Sequence, residues 1–180
     1  YLAVCRSPHA HARIKHIDTR AAAAAEGVLA VITTDDLEAL GIGCIPCVWP
    51  LVNAAGEAIF EPPHPILPRD KASYAGEPVA AVVATSAALA GDAAQLIVVD
   101  YDPLPAVASA TAALAADAPQ VWDGCPGNLA LAWELGDRAA VDAVFAGAAH
   151  VVTLDTVQNR LVPSALEPRA ANAVYDAGRD

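Results

Sequence analysis

The sequence predicts a mixed protein of the α+β class, on three observations. Residues 79–84 form a short apolar run rich in β-branched residues, as a strand buried on both faces requires. An alanine-rich stretch behind Thr85 and Ser86 has the length and cap oxygens of a short helix, and residues 96–101 are a second apolar run. Near residue 137 an aspartate precedes Val141, Val144 and Phe145 at helical spacing. Strand, helix and strand in succession at residues 79–101 read as a crossover unit whose helix buries its apolar side on the sheet. Periodicity alone leaves an apolar helix segment open for residues 79–84.

In chain order, residues 1–5 read as a strand broken by Ser7-Pro8, and residues 13–18 alternate as a second strand. Residues 19–26 suit a helical turn or two, with Asp18 or Thr19 as cap and Gly27 as a left-handed stop. Residues 28–32 form a third strand. Asp35 with Glu38 resembles a capping box, and Gly41 ends that helix. Between Gly41 and Arg69 the prolines at 46, 50, 62, 63, 65 and 68 exclude long regular elements. Ile45, Val48, Trp49, Leu51, Ile59 and Phe60 nevertheless make the stretch too apolar for a free linker, so it reads as a long ordered loop. Gly76 and Pro78 form a turn before residues 79–84, and Pro103 and Pro105 stop the later strand. Residues 109–116 are a short helical piece and residues 117–128 a turn-rich boundary. Asp137 caps the last helix and Gly147 closes it. Residues 150–157 alternate as a strand, Pro163 and Pro168 interrupt the chain, and residues 170–175 begin another strand.

The chain has 180 residues, 56% of them hydrophobic, and a net charge of −11. That composition fits a globular protein and opposes non-specific binding to nucleic acid or anionic membrane surfaces. No run of about 20 apolar residues suggests a membrane helix. The absence of methionine reads as a piece of a longer protein, or a processed one. No signal peptide is visible, and the four scattered cysteines favour reduced thiols and a cytoplasmic setting.

Candidate chemistry is sparse. Cys44-Ile45-Pro46-Cys47 has the spacing of a redox pair or of half a zinc site, and His9 with His11 could complete a four-ligand set. No helix follows the motif and no second pair exists, so two small buried thiols are expected. His9 and His11 share one side of an extended segment as a candidate metal pair, against the plainer reading of a polar loop. His64 and His150 read as packing or surface residues. Glu167-Pro168-Arg169 could bind an anion, but an ion pair holding a chain crossing is the expected role. Phosphate-binding glycine loops and a nucleophile elbow are absent.

Read together, SPHAHARIKHID, GCIPCVWPL with HPILPRDK, GEPVAAVVA…DAAQLIVVDYDPLPAV, DAPQVW, GNLALAWELGD and NRLVPSALEPRAANAVYD resemble one family in order and spacing. This is the N-terminal region of the large subunit of molybdenum hydroxylases: xanthine dehydrogenase, aldehyde oxidase and aerobic carbon monoxide dehydrogenase. The resemblance implies an α/β-hammerhead domain at residues 1–108, a linker at 109–127, and the first strands and helix of a molybdopterin-binding domain at 128–180. It also implies an oxidoreductase that hydroxylates an aldehyde, N-heterocycle or CO with water-derived oxygen. Its molybdenum is held by a molybdopterin dinucleotide, and electrons leave through iron–sulfur and flavin subunits or domains. The family's pterin-contacting and catalytic segments have no counterpart here. The resemblance therefore assigns no catalytic, cofactor-binding or metal residue, and this part serves as scaffold and channel wall, inactive alone. Glu167 and Arg169 match the family's EPR motif in a structural role, and Cys44 and Cys47 gain no iron–sulfur role. Two rival readings are an interaction module docking through the loop from Gly41 to Phe60, and a small zinc or redox protein built on Cys44 and Cys47.

Overall fold

The computed structural model describes residues 1–47, 49, 51–53, 55–158, 161–162 and 164–178, and among these it holds six strands, five α-helices and a short 3-10 turn at Pro126–Asn128. Val48, Pro50 and Pro163, three of the loop and interruption residues named above, lie outside the described residues. The chain divides into two units, Tyr1–Leu135 and Gly136–Asp180.

In the first unit the elements follow one another as β1 (Leu2–Arg6), β2 (Ala12–Asp18), α1 (Arg20–Ala23), β3 (Val28–Ile32) and α2 (Thr34–Ala39). After the long loop come β4 (Lys71–Ala72), β5 (Pro78–Ala84), α3 (Ala87–Ala94), β6 (Val98–Pro103) and α4 (Ala110–Ala113). They build two three-stranded sheets, ordered β1-β5-β3 and β4-β2-β6. Every pairing is antiparallel. Here the crossover expectation needs correction. β5, α3 and β6 do follow one another, but β5 is the centre of one sheet and β6 an edge of the other, so no parallel pair is made. An antiparallel sheet takes its neighbours from distant hairpin-like returns, and a local strand–helix–strand pattern does not reveal which sheet each strand joins.

β5 earns its central place by burial. Val79, Ala80, Val82 and Ala84 are fully buried, which a strand sandwiched on both faces demands. Ala22 of α1 and Ala90 and Ala93 of α3 are buried as completely. Ala22, Ala80, Val82, Ala93 and Ile97 form one core, flanked by Ile17 and Val99 from the second sheet. Alanine at these contacts lets helix and sheet backbones approach closely, leaving little room for extra methylenes.

Local chemistry sets the helix ends, with some shifts from expectation. Of the two expected candidates, Thr85 and Ser86, it is Ser86 that caps α3, its Oγ accepting the Leu89 N–H at 3.2 Å. The capping box is Thr33 with Asp36, not Asp35 with Glu38: Asp36 Oδ2 accepts the Thr33 N–H at 2.7 Å. Thr33 has the extended backbone a cap needs, whereas Asp35 already lies in the first turn. Gly27 and Gly41 take φ of +73° and +70°, as their stop positions require. Pro103 lies inside β6 as its last residue, tolerated because β6 is an edge strand. The two-residue strand β4 is too short to leave a periodic signal.

The second unit holds α5 (Arg138–Gly147), where Asp137 Oδ1 accepts the Ala140 N–H at 3.0 Å. Val141, Val144 and Phe145 are exposed. Residues 150–157 and 170–175, expected as strands, form no ladder among the described residues. An alternating segment becomes a strand only beside a partner that satisfies its backbone groups, and no described residue supplies one.

Candidate functional site

The sequence-predicted ligands do not converge. Cys44 and Cys47 are free and exposed, which corrects the expectation of buried thiols, while Cys125 is buried and Cys5 half-buried. Within the proline-rich segment the Ile45 N–H donates to the His64 carbonyl at 2.8 Å and the Cys47 N–H to Glu61 Oε1 at 3.1 Å. Burial raises the Cys5 thiol pKa above its ordinary value.

His9 and His11 part company. The His9 ring meets Tyr101 edge-on, with centroids 4.9 Å apart. His11 is buried, and its Nδ1 lies 2.7 Å from the Pro105 carbonyl oxygen. A carbonyl only accepts, so Nδ1 carries the proton and the ring acts as a pin between β2 and the segment after β6. Among the described residues, no three His, Cys, Asp or Glu side chains come together as a metal-holding group. The four-ligand set of His9, His11, Cys44 and Cys47 is therefore not formed. His64 Nδ1 contacts the Pro62 carbonyl at 3.2 Å and His150 is exposed. Glu167 and Arg169 make no ion pair among the described residues, correcting their expected role as a chain-crossing clamp.

Instead the chain gathers polar groups around a hollow of about 570 Å³ in the first unit, beside β2 and β4. Its walls include Phe60, Pro63, Pro65 and Trp122, and its charged groups include Arg13, Arg69 and Lys71. Lys71 Nζ donates to the Val121 carbonyl at 2.7 Å, lies 3.5 Å from Asp123, and sits 5.7 Å from the Trp122 ring centroid. Arg69 binds Glu38 through two guanidinium nitrogens and Asp35 at 2.8 Å, anchoring α2 to the end of the loop. Sequence reasoning missed this pairing because 31 residues separate Arg69 from Glu38.

The hydrogen bond from Arg69 holds the Glu38 carboxyl below its ordinary pKa. The pair therefore stabilises the fold above the ordinary carboxylate range, and that contribution is lost as pH falls through the lowered folded value. Arg69→Gln is expected to move the Glu38 titration back up toward the ordinary range, as followed by carboxyl carbon NMR. An unmoved midpoint would show that the guanidinium does not set it.

Asn128 ties down the segment between α4 and the second unit, from a backbone φ of +55°. Its Oδ1 accepts the Val121 N–H at 2.9 Å, while Nδ2 donates to the Ala113 and Pro119 carbonyls at 3.0 and 2.9 Å. Asn128→Gly keeps the backbone conformation accessible and removes all three bonds, so urea denaturation should show a loss of roughly 1–3 kcal/mol. Unchanged stability would mean that water replaces the amide without cost.

Comparison with known proteins bears on this arrangement. Residues 1–105 match the family described as "Aldehyde oxidase and xanthine dehydrogenase, a/b hammerhead domain". The carbon monoxide dehydrogenase large chain of Afipia carboxidovorans is 38% identical over 175 residues, covering 90% of this chain and 20% of that one. Subunit gamma of the 6-hydroxypseudooxynicotine dehydrogenase complex of Paenarthrobacter nicotinovorans is 35% identical, covering 100% of this chain and 22% of its own. The structure of reconstituted CO dehydrogenase from Oligotropha carboxidovorans superposes with a TM-score of 0.66 at 36% identity, over 83% of this chain and 19% of that one. The chain thus spans about a fifth of the length of the curated relatives it matches. With the match covering both antiparallel sheets and the helices packed on them, the chain belongs to the aldehyde oxidase and xanthine dehydrogenase a/b hammerhead domain family.

Proposed function

We propose that this chain is the N-terminal scaffold of a molybdenum hydroxylase large subunit, an oxidoreductase, and that it walls the channel by which a small molecule reaches the metal. The observation that carries the reading is identity of 38% with a carbon monoxide dehydrogenase large chain, sustained over 90% of this chain. In this reading residues 1–108 are the hammerhead, 109–127 a linker, and 128–180 the start of a molybdopterin-binding domain. The cofactor is a molybdopterin dinucleotide, the partners are the rest of the large subunit with iron–sulfur and flavin subunits, and the setting is cytoplasmic. The exposed apolar residues of the second unit, among them Val152, Leu154 and Val157, support it: a molybdenum domain's remaining strands would bury them.

The residues present do not fit the metal group itself. No described residues form a metal-holding cluster. No chemical step is therefore routed through this chain.

A graft tests the reading. Placing these 180 residues in the corresponding fifth of the Afipia large chain should give a soluble protein that carries molybdenum and oxidises CO, whereas the isolated chain carries none. Stoichiometric molybdenum on the isolated chain would overturn the scaffold assignment. Exposed Ile45, Trp49 and Val52 favour a second reading, in which the loop from Gly41 to Phe60 docks onto a neighbouring subunit. It requires that the assembled enzyme protect this loop from proteolysis; cleavage at the rate of the free chain would remove it.

A further inference from the structure

We propose that the hollow beside β2 and β4 is a binding site for a small aromatic carboxylate, with the Arg13 guanidinium holding the anion and the Phe60 and Trp122 rings walling its body. Arg13 and Lys71 stand directly opposite in the β2–β4 register. Side chains so placed share one face of the sheet with Cβ atoms about 4.5–5.5 Å apart, where like charges destabilise the pairing. Lys71 escapes the conflict through Asp123 and the Val121 carbonyl. Arg13 has no hydrogen bond or ion pair among the described residues, and Asp102, its register partner on β6, forms none with it. Arg13 is exposed between Lys71 on one side and Asp102 on the other and bonds to neither, so its guanidinium fork stays open to an external anion.

The other charges around the hollow narrow the ligand. Glu38 is held by Arg69, Asp123 by Lys71, and the buried Glu77 accepts the Ser73 N–H at 2.5 Å. Among the described residues, Asp70 and Glu77 remain as lining carboxylates with no ion pair. They would repel a second negative charge, so one carboxylate on an uncharged body suits the site better than a dianion. A guanidinium fork accepts a carboxylate through two parallel hydrogen bonds, which a lysine ammonium cannot match. The walls suit a flat ring. A Cβ added to Gly124 would lie 3.0 Å from Phe60 Cε2, so glycine there lets the Phe60 ring close on the turn that carries Trp122. The volume of about 570 Å³ falls in the ordinary range of small-molecule sites. None of this depends on how the chain serves a molybdenum enzyme.

Benzoate, benzamide and acetate separate ring from charge. In the full 180-residue chain carrying Trp49→Phe and Trp133→Phe, Trp122 fluorescence reports the hollow. Benzoate should give a saturable change with half-saturation at or below about 1 mM, at least about tenfold below benzamide or acetate. Arg13→Gln should weaken benzoate by at least about tenfold, and Lys15→Gln, on the same strand outside the hollow, should leave it unchanged. An unsaturable response, benzamide or acetate binding as well as benzoate, an unaffected Arg13→Gln chain, or a loss shared by Lys15→Gln would each overturn the proposal.

Discussion

Val82→Asp abolishes the folded state of the first unit. Val82 is fully buried at the centre of β5, against Ala22, Ala93 and Ile97. Exchange for aspartate forfeits about 1.5–3 kcal/mol of apolar burial. It also leaves a carboxylate without a partner, which costs several kcal/mol more after relaxation. Against a total stability of about 5–15 kcal/mol for a domain of ordinary size, that sum removes the cooperative transition. Circular dichroism and amide NMR dispersion measure it directly. Leu29→Asp is the control, because Leu29 on neighbouring β3 is 68% exposed and should shift stability by no more than about 0.5 kcal/mol. A Val82→Asp chain melting like the parent would mean that β5 is not the centre of the core.

Gly27→Val produces the second large effect, through two causes that a companion variant separates. Gly27 has φ of +73°, and a Cβ there would stand 2.6 Å from Leu89 Cδ1 and 2.7 Å from Thr85 Oγ1. The left-handed conformation costs a side-chain-bearing residue about 1–2 kcal/mol, and forced overpacking adds about 1–3 kcal/mol. Gly41 has nearly the same φ, +70°, with no atom within 4 Å of the added Cβ. Gly41→Val should therefore show the conformational cost alone in urea denaturation, and Gly27→Val should exceed it by the contact contribution. Equal losses would show that Leu89 and Thr85 yield without cost.

Much of the candidate hollow was invisible in the sequence, and the reasons are specific. His9 and His11 drew attention because they share one side of a strand, yet His9 meets Tyr101 and His11 meets Pro105, both some 90 residues away. Lys71 and Val121 are 50 residues apart, and no local pattern announces that one amine will choose one carbonyl. Arg13 carries no local signal beyond opening an alternating strand. Its meaning came from Lys71 standing opposite it, a fact of register. Conversely, Cys44-x-x-Cys47 was conspicuous as a string and proved to be two exposed thiols on a loop.

The sequence by itself determined what neighbouring residues decide among themselves: the runs that become β1, β2, β3, β5 and β6, the serine and aspartate caps, and the glycine stops at 27 and 41. These follow from steric limits and hydrogen bonds within a few residues, which the chain carries wherever it goes. The ordered phrases also carried the family. Only the tertiary structure decided that β5 and β6 part into two antiparallel sheets, that Arg69 reaches back to α2, and that residues 150–157 form no ladder with any described residue. Those outcomes turn on which distant surface buries which apolar face and satisfies which backbone group, and that competition is settled between segments rather than within them.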